Sequence, residues 1–314
     1  MGNKYGFHSG KITAKKMQVD TELKVAGANV VGTLPLVSGK IWYVNPNLSV
    51  SGDGKSMAAG FITLTEALAH AGNYDTILIT QASILTAPAT GHTITQTGLK
   101  IIGGGSTEGA QASAIKITSG TASMFTIKAD RVEIANLCLS QRTAYPCIKI
   151  GDTAGQAYYQ VHIHNCNFDG YDTATYGVCP GEASFGVDPV NLVVEDCYFK
   201  GHITAAIVSN GTRDSYLRNT IHVPADAAGI YVYKTGGDRG YGVIADNIMF
   251  GQAGTTTIGI KGAGNNTPGL LIYARNLFAG DFDTTISNNT GDPGVLNYYG
   301  STTGGSLIDC NSSA

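Results

Sequence analysis

The sequence predicts an all-β chain wound into a right-handed parallel β-helix, with a short capping helix near its start and a small β-rich element ahead of that. Three observations predict it. The chain is rich in turn formers and poor in charge, six of its segments align without gaps at intervals of about 23 to 31 residues, and the hydrophobic parity changes at one fixed point inside each segment.

Of 314 residues, 42 are glycine and only 14% are charged, which favours many short strands joined by tight turns over long helices. The formal charge of −3 is uneven: the start of the chain carries Lys4, Lys11, Lys15, Lys16 and Lys24 against Asp20 and Glu22, leaving an acidic body. An acidic body without a basic stripe argues against nucleic acid as the main ligand, because phosphate binding needs clustered Lys and Arg. No apolar run reaches the ~18 residues of a membrane span, and the first residues lack the apolar core of a secretory signal. The expectation is a chain made in a cytosol. Cys138, Cys166 and Cys197 fall in strand-like segments and are expected to be reduced, behaving as small hydrophobes.

The aligned segments are VEIANLCL from Val132, VHIHNCNF from Val161, LVVEDCYF from Leu192, SYLRNTIH from Ser215, VIADNIMF from Val243 and IYARNLFA from Ile272. Their fifth position is always short and polar: Asn136, Asn165, Asp196, Asn219, Asn247 and Asn276. Before it, positions one and three are mostly apolar. After it, positions six and eight are, as in Leu137 and Leu139, Cys166 and Phe168, Cys197 and Phe199, and Ile248 and Phe250. One residue must therefore bend the chain and reset which side faces inward, and Asn and Asp tolerate the left-handed conformation that such a corner needs. The expectation is a stack of six corner residues, one per coil.

In chain order, residues 1–40 lie outside the repeat and form a separate β-rich element suited to attachment or to wrapping a neighbour. Residues 41–314 form the β-helix. FITLTEALAHAG (61–72) has the pattern of a short amphipathic helix that caps the stack. TILIT (76–80) and LKIIGGG (99–105) are the first coils, and CIKIGD, TAAIVSN, AGIYVYKT and TTIGIKGAG supply further strands, giving coils of up to three strands. Together IWYVNPN, GDGKS, the helix and YDTILIT resemble the first coil of the pectate-lyase-like superfamily of right-handed β-helices, a resemblance that extends over about residues 41 to 300. It implies the fold. It does not choose a function, since lyases, hydrolases, esterases and phage tailspikes share that architecture. GDGKS lacks the spacing of a phosphate loop.

The resemblance to polysaccharide lyases implies an Arg or Lys base beside carboxylates that hold calcium. Position four of the repeat runs Ala135, His164, Glu195, Arg218, Asp246, Arg275, and stacked coils stand about 4.8 Å apart. Arg218 between Glu195 and Asp246 is the catalytic candidate. Against it, alternating charges in register stabilise sheets on their own account, and two carboxylates keep an arginine protonated, the wrong state for a base. Position two holds Glu133, His162, Val193, Tyr216, Ile244 and Tyr273, so His162, His164, Tyr216, Tyr273 and Arg275 are expected to share one outward face suited to a glycan. His162 and His164 point the same way on a strand and could pair as metal ligands only with a third from a neighbouring coil, such as Glu195; an exposed H-x-H is more often surface histidine. No metal or other cofactor is expected. The Asn-Thr-Asp, paired Asp-Asp, Gly-His-Gly and Arg-Ile-Lys motifs of polygalacturonase-like hydrolases are missing.

These observations favour a virion structural protein: tailspike-like, a fibre or a capsid decoration, assembled in the host cytoplasm. It is expected to be a homo-oligomer such as a trimer, to attach to other virion proteins through residues 1–40 and to contact host-surface glycans. The alternative is a polysaccharide lyase or glycoside hydrolase on the same scaffold, with enzymatic activity the less favoured reading; a surface adhesion module is a third.

Overall fold

The structure, a computed structural model, describes residues 24–25, 28–29, 39–80, 83–105, 107, 113–118, 120–152, 156–181, 187–233, 242–262, 271–287, 294–295, 298–300 and 307–309. The chain divides into two units, Met1–Ser38 and Gly39–Ala314. In the first, Lys24–Val25 pairs antiparallel with Ala28–Asn29. The lysines expected to form a basic leader, Lys4, Lys11, Lys15 and Lys16, lie outside the described residues.

The second unit is a right-handed parallel β-helix. Three sheets run along it. The first has ten strands, from Ile41–Val44 to Gly294–Val295; the second has ten, from Ser83–Thr86 to Leu307–Asp309; the third has eight, from His92–Ile94 to Thr284–Ser287. Neighbouring strands are parallel except at one end of the second sheet, where Leu307–Asp309 runs antiparallel to Tyr298–Gly300. A coil passes through the first sheet, bends at one residue, crosses the second sheet, and reaches the third through a variable loop.

Alternation within each strand sends one column of side chains inward. In the first sheet that column is Ile101, Ile134, Ile163, Val194, Tyr216, Ile244 and Tyr273, paired in register from coil to coil. In the second it includes Leu139, Phe168, Phe199, Ile221, Met249 and Phe278, all fully buried. Phe168 and Phe199 stack at 4.4 Å and 6° between ring planes. These columns form one continuous hydrophobic core, in which each coil covers the apolar face its neighbour cannot bury alone.

The corner column differs from the expectation by one residue in half of the coils. Asn136, Asn165 and Asp196 do hold the bend, at φ 55, 50 and 53°. In the next three coils the bend falls on Arg218, Asp246 and Arg275, at φ 53, 59 and 52°. Asn219, Asn247 and Asn276 come one position later and are completely buried. Strand pairing fixes this register, since Val194 lies opposite Tyr216 and Glu195 opposite Leu217. Ile248 and Phe250 consequently face outward, at 38% and 39% exposure, and Met249 takes the inward place.

The buried asparagines form a ladder. Each backbone N–H at this position donates to the side chain of the next coil: Cys197 to Asn219 Oδ1 at 3.1 Å, Asn219 to Asn247 Oδ1 at 2.9 Å, and Asn247 to Asn276 Oδ1 at 3.2 Å. Their amides donate in turn to the carbonyls of Val194, Tyr216 and Ile244. One coil upstream, the Cys166 N–H meets Cys197 Sγ at 3.5 Å, so a thiol continues the series as a weaker acceptor. The expected reduced state fits at Cys166 and Cys197, whose thiols form no disulfide.

The capping helix is Leu64–His70. Thr63 and Glu66 form a reciprocal capping box that satisfies the first-turn N–H groups, and Leu64, Ala67 and Leu68 are buried. Against strand Ile41–Val44, Trp42 packs on Phe61 and His70 and donates its indole N–H to Asp75 Oδ2 at 2.8 Å. Asp75 also accepts from the backbone of Lys40 and Gly72. Burial works against its charge and is outweighed by these donors, so its carboxyl stays below the usual range.

Candidate functional site

The outer face of the first sheet concentrates charge. Glu133 and His162 lie opposite one another on adjacent strands, as do His164 and Glu195. Their hydrogen bonds are diagonal instead. His162 Nε2 meets Glu195 Oε1 at 2.9 Å, and His164 Nε2 meets Glu133 Oε1 at 3.2 Å. The two imidazoles stack at 4.3 Å. Lys100 binds the other oxygen of Glu133 at 2.6 Å, while Arg218 reaches Glu195 Oε2 at 2.7 Å and clasps both oxygens of Asp196 at 2.8 Å. A chain of contacts thus runs from Lys100 through Glu133, both histidines and Glu195 to Arg218 and Asp196.

Protonation follows from those contacts. Burial disfavours the charge on Glu133 but loses to the hydrogen bonds and charges of Lys100 and His164, so its carboxyl is held down. Glu195 is held down in the same way by His162 and Arg218. The Arg218 hydrogen bond is the main cause of the depressed Asp196 carboxyl. In return, the two carboxylates push Arg218 further above its ordinary value. Asn165 Nδ2 lies 3.0 Å from His164 Nδ1; its amide can only donate there, which places the His164 proton on Nε2, toward Glu133.

These residues do not assemble as the sequence analysis predicted. Arg218 lies between Glu195 and Asp196, and Asp246 instead binds Arg275 through two bonds of 2.7 Å. Asp246 and Arg275 occupy corners, outside the position-four column. Tyr216 and Tyr273 are not on the outward face at all: they are 0% and 5% exposed and belong to the core. Tyr216 gives its hydroxyl proton to Asp214 Oδ2 at 3.1 Å. Both misplacements have one cause. Aligning on asparagine shifted the last three coils by one residue, and in a strand a shift of one exchanges the two faces. Of the five glycan-face candidates, His162 and His164 do share the sheet face, and Arg275 stands at the corner edge.

A strongly paired, permanently protonated arginine is not a base, and both oxygens of each glutamate are engaged. Exposed ion pairs of this kind contribute little to stability. Arg218→Ala is accordingly expected to shift the thermal midpoint by no more than ~2 °C. A loss of ten degrees would mean that the corner needs its arginine. Among the described residues, no group of three or more His, Cys, Asp and Glu side chains could hold a metal ion, and no helix is long and apolar enough to cross a membrane.

The second sheet presents an outward cluster that the sequence analysis missed, because the same slip placed Phe250 in the core. Tyr198, His222 and Phe250 stand side by side there, with ring centroids 5.3 and 5.0 Å apart. Lys200 and Asp169 pair beside them at 3.1 Å.

No family model matches this chain, and no curated protein does. Among solved structures, it is similar to a crystal structure of a pectin methylesterase mutant in complex with a hexasaccharide. The likeness covers 83% of this chain and 92% of that one, with a TM-score of 0.50 and 14% sequence identity. At that identity the shared feature is the fold, a right-handed parallel β-helix.

Proposed function

We propose that this chain is a structural protein of a virus particle, tailspike-like, a fibre or a capsid decoration, whose β-helix carries glycan-contacting surface. The observation that supports this reading best is the closed character of the first-sheet face. Its acids and bases bind one another across five coils, from Lys100 to Arg218, and that arrangement joins coils together and engages both oxygens of each glutamate. The basic start of the sequence suits docking to other virion components, and a homo-oligomer, for instance a trimer, suits a β-helix body. On this reading the protein assembles in the host cytoplasm and leaves by lysis.

One observation favours a polysaccharide-active enzyme as the second reading. The pair of His162 and Glu195 is oriented as a carboxylate-supported imidazole, on a fold shared with a pectin methylesterase. The experiment joins light scattering on the full chain with incubation on a panel of polysaccharides, following methanol, unsaturated ends and reducing ends. A stable oligomer that releases none of the three is the expected result. Release of any product, abolished by His162→Ala or Glu195→Gln, would replace the structural reading by the enzymatic one.

A further inference from the structure

We propose that the outer face of the second sheet, between Asp169 and Phe250, is a binding site for an uncharged saccharide. The proposal deepens the glycan-contacting part of the function proposed above and rests on it, but it locates the contact away from His162, His164 and Arg275.

The site is built from four coils. Asp169 lies opposite Lys200, and His222 opposite Phe250, on successive strands. Asp169, Lys200 and His222 line an open groove of about 480 Å³, rimmed by Tyr171 and Asp172, within the size range of small-molecule sites. Tyr198 and His222 line it, and Phe250 extends their shelf beyond the groove by stacking on His222 at 30°. Such a shelf matches the CH faces of consecutive sugar rings, while the carboxylates, the ammonium and the imidazole are spaced among them for hydroxyls.

The rim is held in a costly shape. Tyr171 and Asp172 are consecutive residues with φ of 51 and 52°, a conformation that a bulky side chain rarely adopts. Three contacts maintain it: the Tyr171 N–H donates to Asp169 Oδ1 at 3.1 Å, Thr173 Oγ1 donates to the Tyr171 carbonyl at 3.0 Å, and the Arg142 guanidinium lies 3.9 Å from the Tyr171 ring centroid. Sheet stability requires none of this. Cross-strand ring contacts alone would explain Tyr198 and His222, but they give no reason to hold a tyrosine 45% exposed in left-handed backbone at the rim of the groove that they line. Inference runs here from an observed strain to a site.

Charge selects the ligand class. The single ammonium, Lys200, is already bound to Asp169, and Asp172 adds a further negative charge. Burial, with Lys200 second, pulls His222 below its ordinary range, so it is neutral at pH 7. With the Arg142 guanidinium against Tyr171, the two carboxylates and Lys200 leave the groove without net charge, so it has no spare cation for a polyuronate, whereas a neutral hexose chain meets aromatic faces and hydroxyl partners.

The test is affinity electrophoresis of the full chain through gels containing a neutral polysaccharide (galactomannan, dextran or xyloglucan) or polygalacturonate. Retardation by at least one neutral polymer and none by polygalacturonate is expected, with Tyr198→Ala and Phe250→Ala each weakening it at least about tenfold. Thermal melts of both variants show that the coils remain folded. If retardation survives in both variants and disappears in Arg275→Ala, the groove is overturned while the glycan-contacting function stands. If none of the neutral polymers retards the wild-type chain, both are overturned.

Discussion

Asn247→Leu is expected to destabilise the protein by about 3–5 kcal/mol, because it removes one acceptor and two donors from a buried ladder and leaves their partners in place. The Oδ1 of Asn247 accepts from both the N–H and the amide of Asn219, and its own amide donates to the Tyr216 carbonyl and to Asn276 Oδ1. Four groups on the two flanking coils lose a partner at once, and water cannot reach a residue that is 0% exposed. The upstream coils suggest a graded comparison. Cys197 occupies the same column and its sulfur accepts the Cys166 N–H, so Asn247→Cys is expected to fall between wild type and Asn247→Leu. Thermal melts followed by circular dichroism at pH 7 measure the order. Equal midpoints for the leucine variant and the wild type would show that the ladder is decoration.

The second large effect is acid lability that begins well above the carboxylate range. His202 is fully buried, contacts Cys147 Sγ at 3.7 Å through Nε2, and has no hydrogen-bond partner at Nδ1 among the described residues. Burial lowers its pKa to about 3 and that of His92 to about 4. Both are neutral in the fold, whereas in the unfolded chain they take up protons near pH 6.5. The unfolded state therefore binds more protons below that value. Stability is complete above pH 6.5 and declines as pH falls toward 4 and then 3, by an amount on the order of several kcal/mol. Glu133, Glu195, Asp196 and Asp75 have depressed pKa values, so their contributions are lost later, below about pH 4.5. Denaturant midpoints at pH 7.5, 5.5, 4.5 and 3.5 resolve the two stages. His202→Gln is expected to flatten the slope between pH 6.5 and 4.5; an undiminished slope in both His202→Gln and His92→Gln would contradict the burial of neutral imidazoles.

The fold was legible because its determinants are periodic. Alternating apolar positions around Ile134, Ile163 and Val194 mark strands, and a parity change at Asn136, Asn165 and Asp196 marks a bend. The later coils were legible only to within one residue. An arginine is a poor candidate for left-handed backbone, and nothing local in the sequence shows that Arg218 and Arg275 hold it by clasping the aspartates Asp196 and Asp246 of the coils before them. Asparagine, in contrast, suits both a corner and a buried ladder, and the pattern of residue types does not distinguish the two roles. That ambiguity moved Tyr216 and Tyr273 to the surface and Phe250 to the interior. It also hid the aromatic shelf of the second sheet while leaving His162, His164 and Glu195 correctly on the first, since they lie in coils where the count was right.

The spacing along the ladder is 31, 22, 28 and 29 residues from Cys166 to Cys197, Asn219, Asn247 and Asn276. Unequal coils nonetheless stack in register, because the one-residue corner restarts the count each time the chain comes round. Length is thus decoupled from alignment. A lineage built on this plan can lengthen or shorten one loop, and so rewrite what its exterior touches, while every interior rung keeps its neighbours.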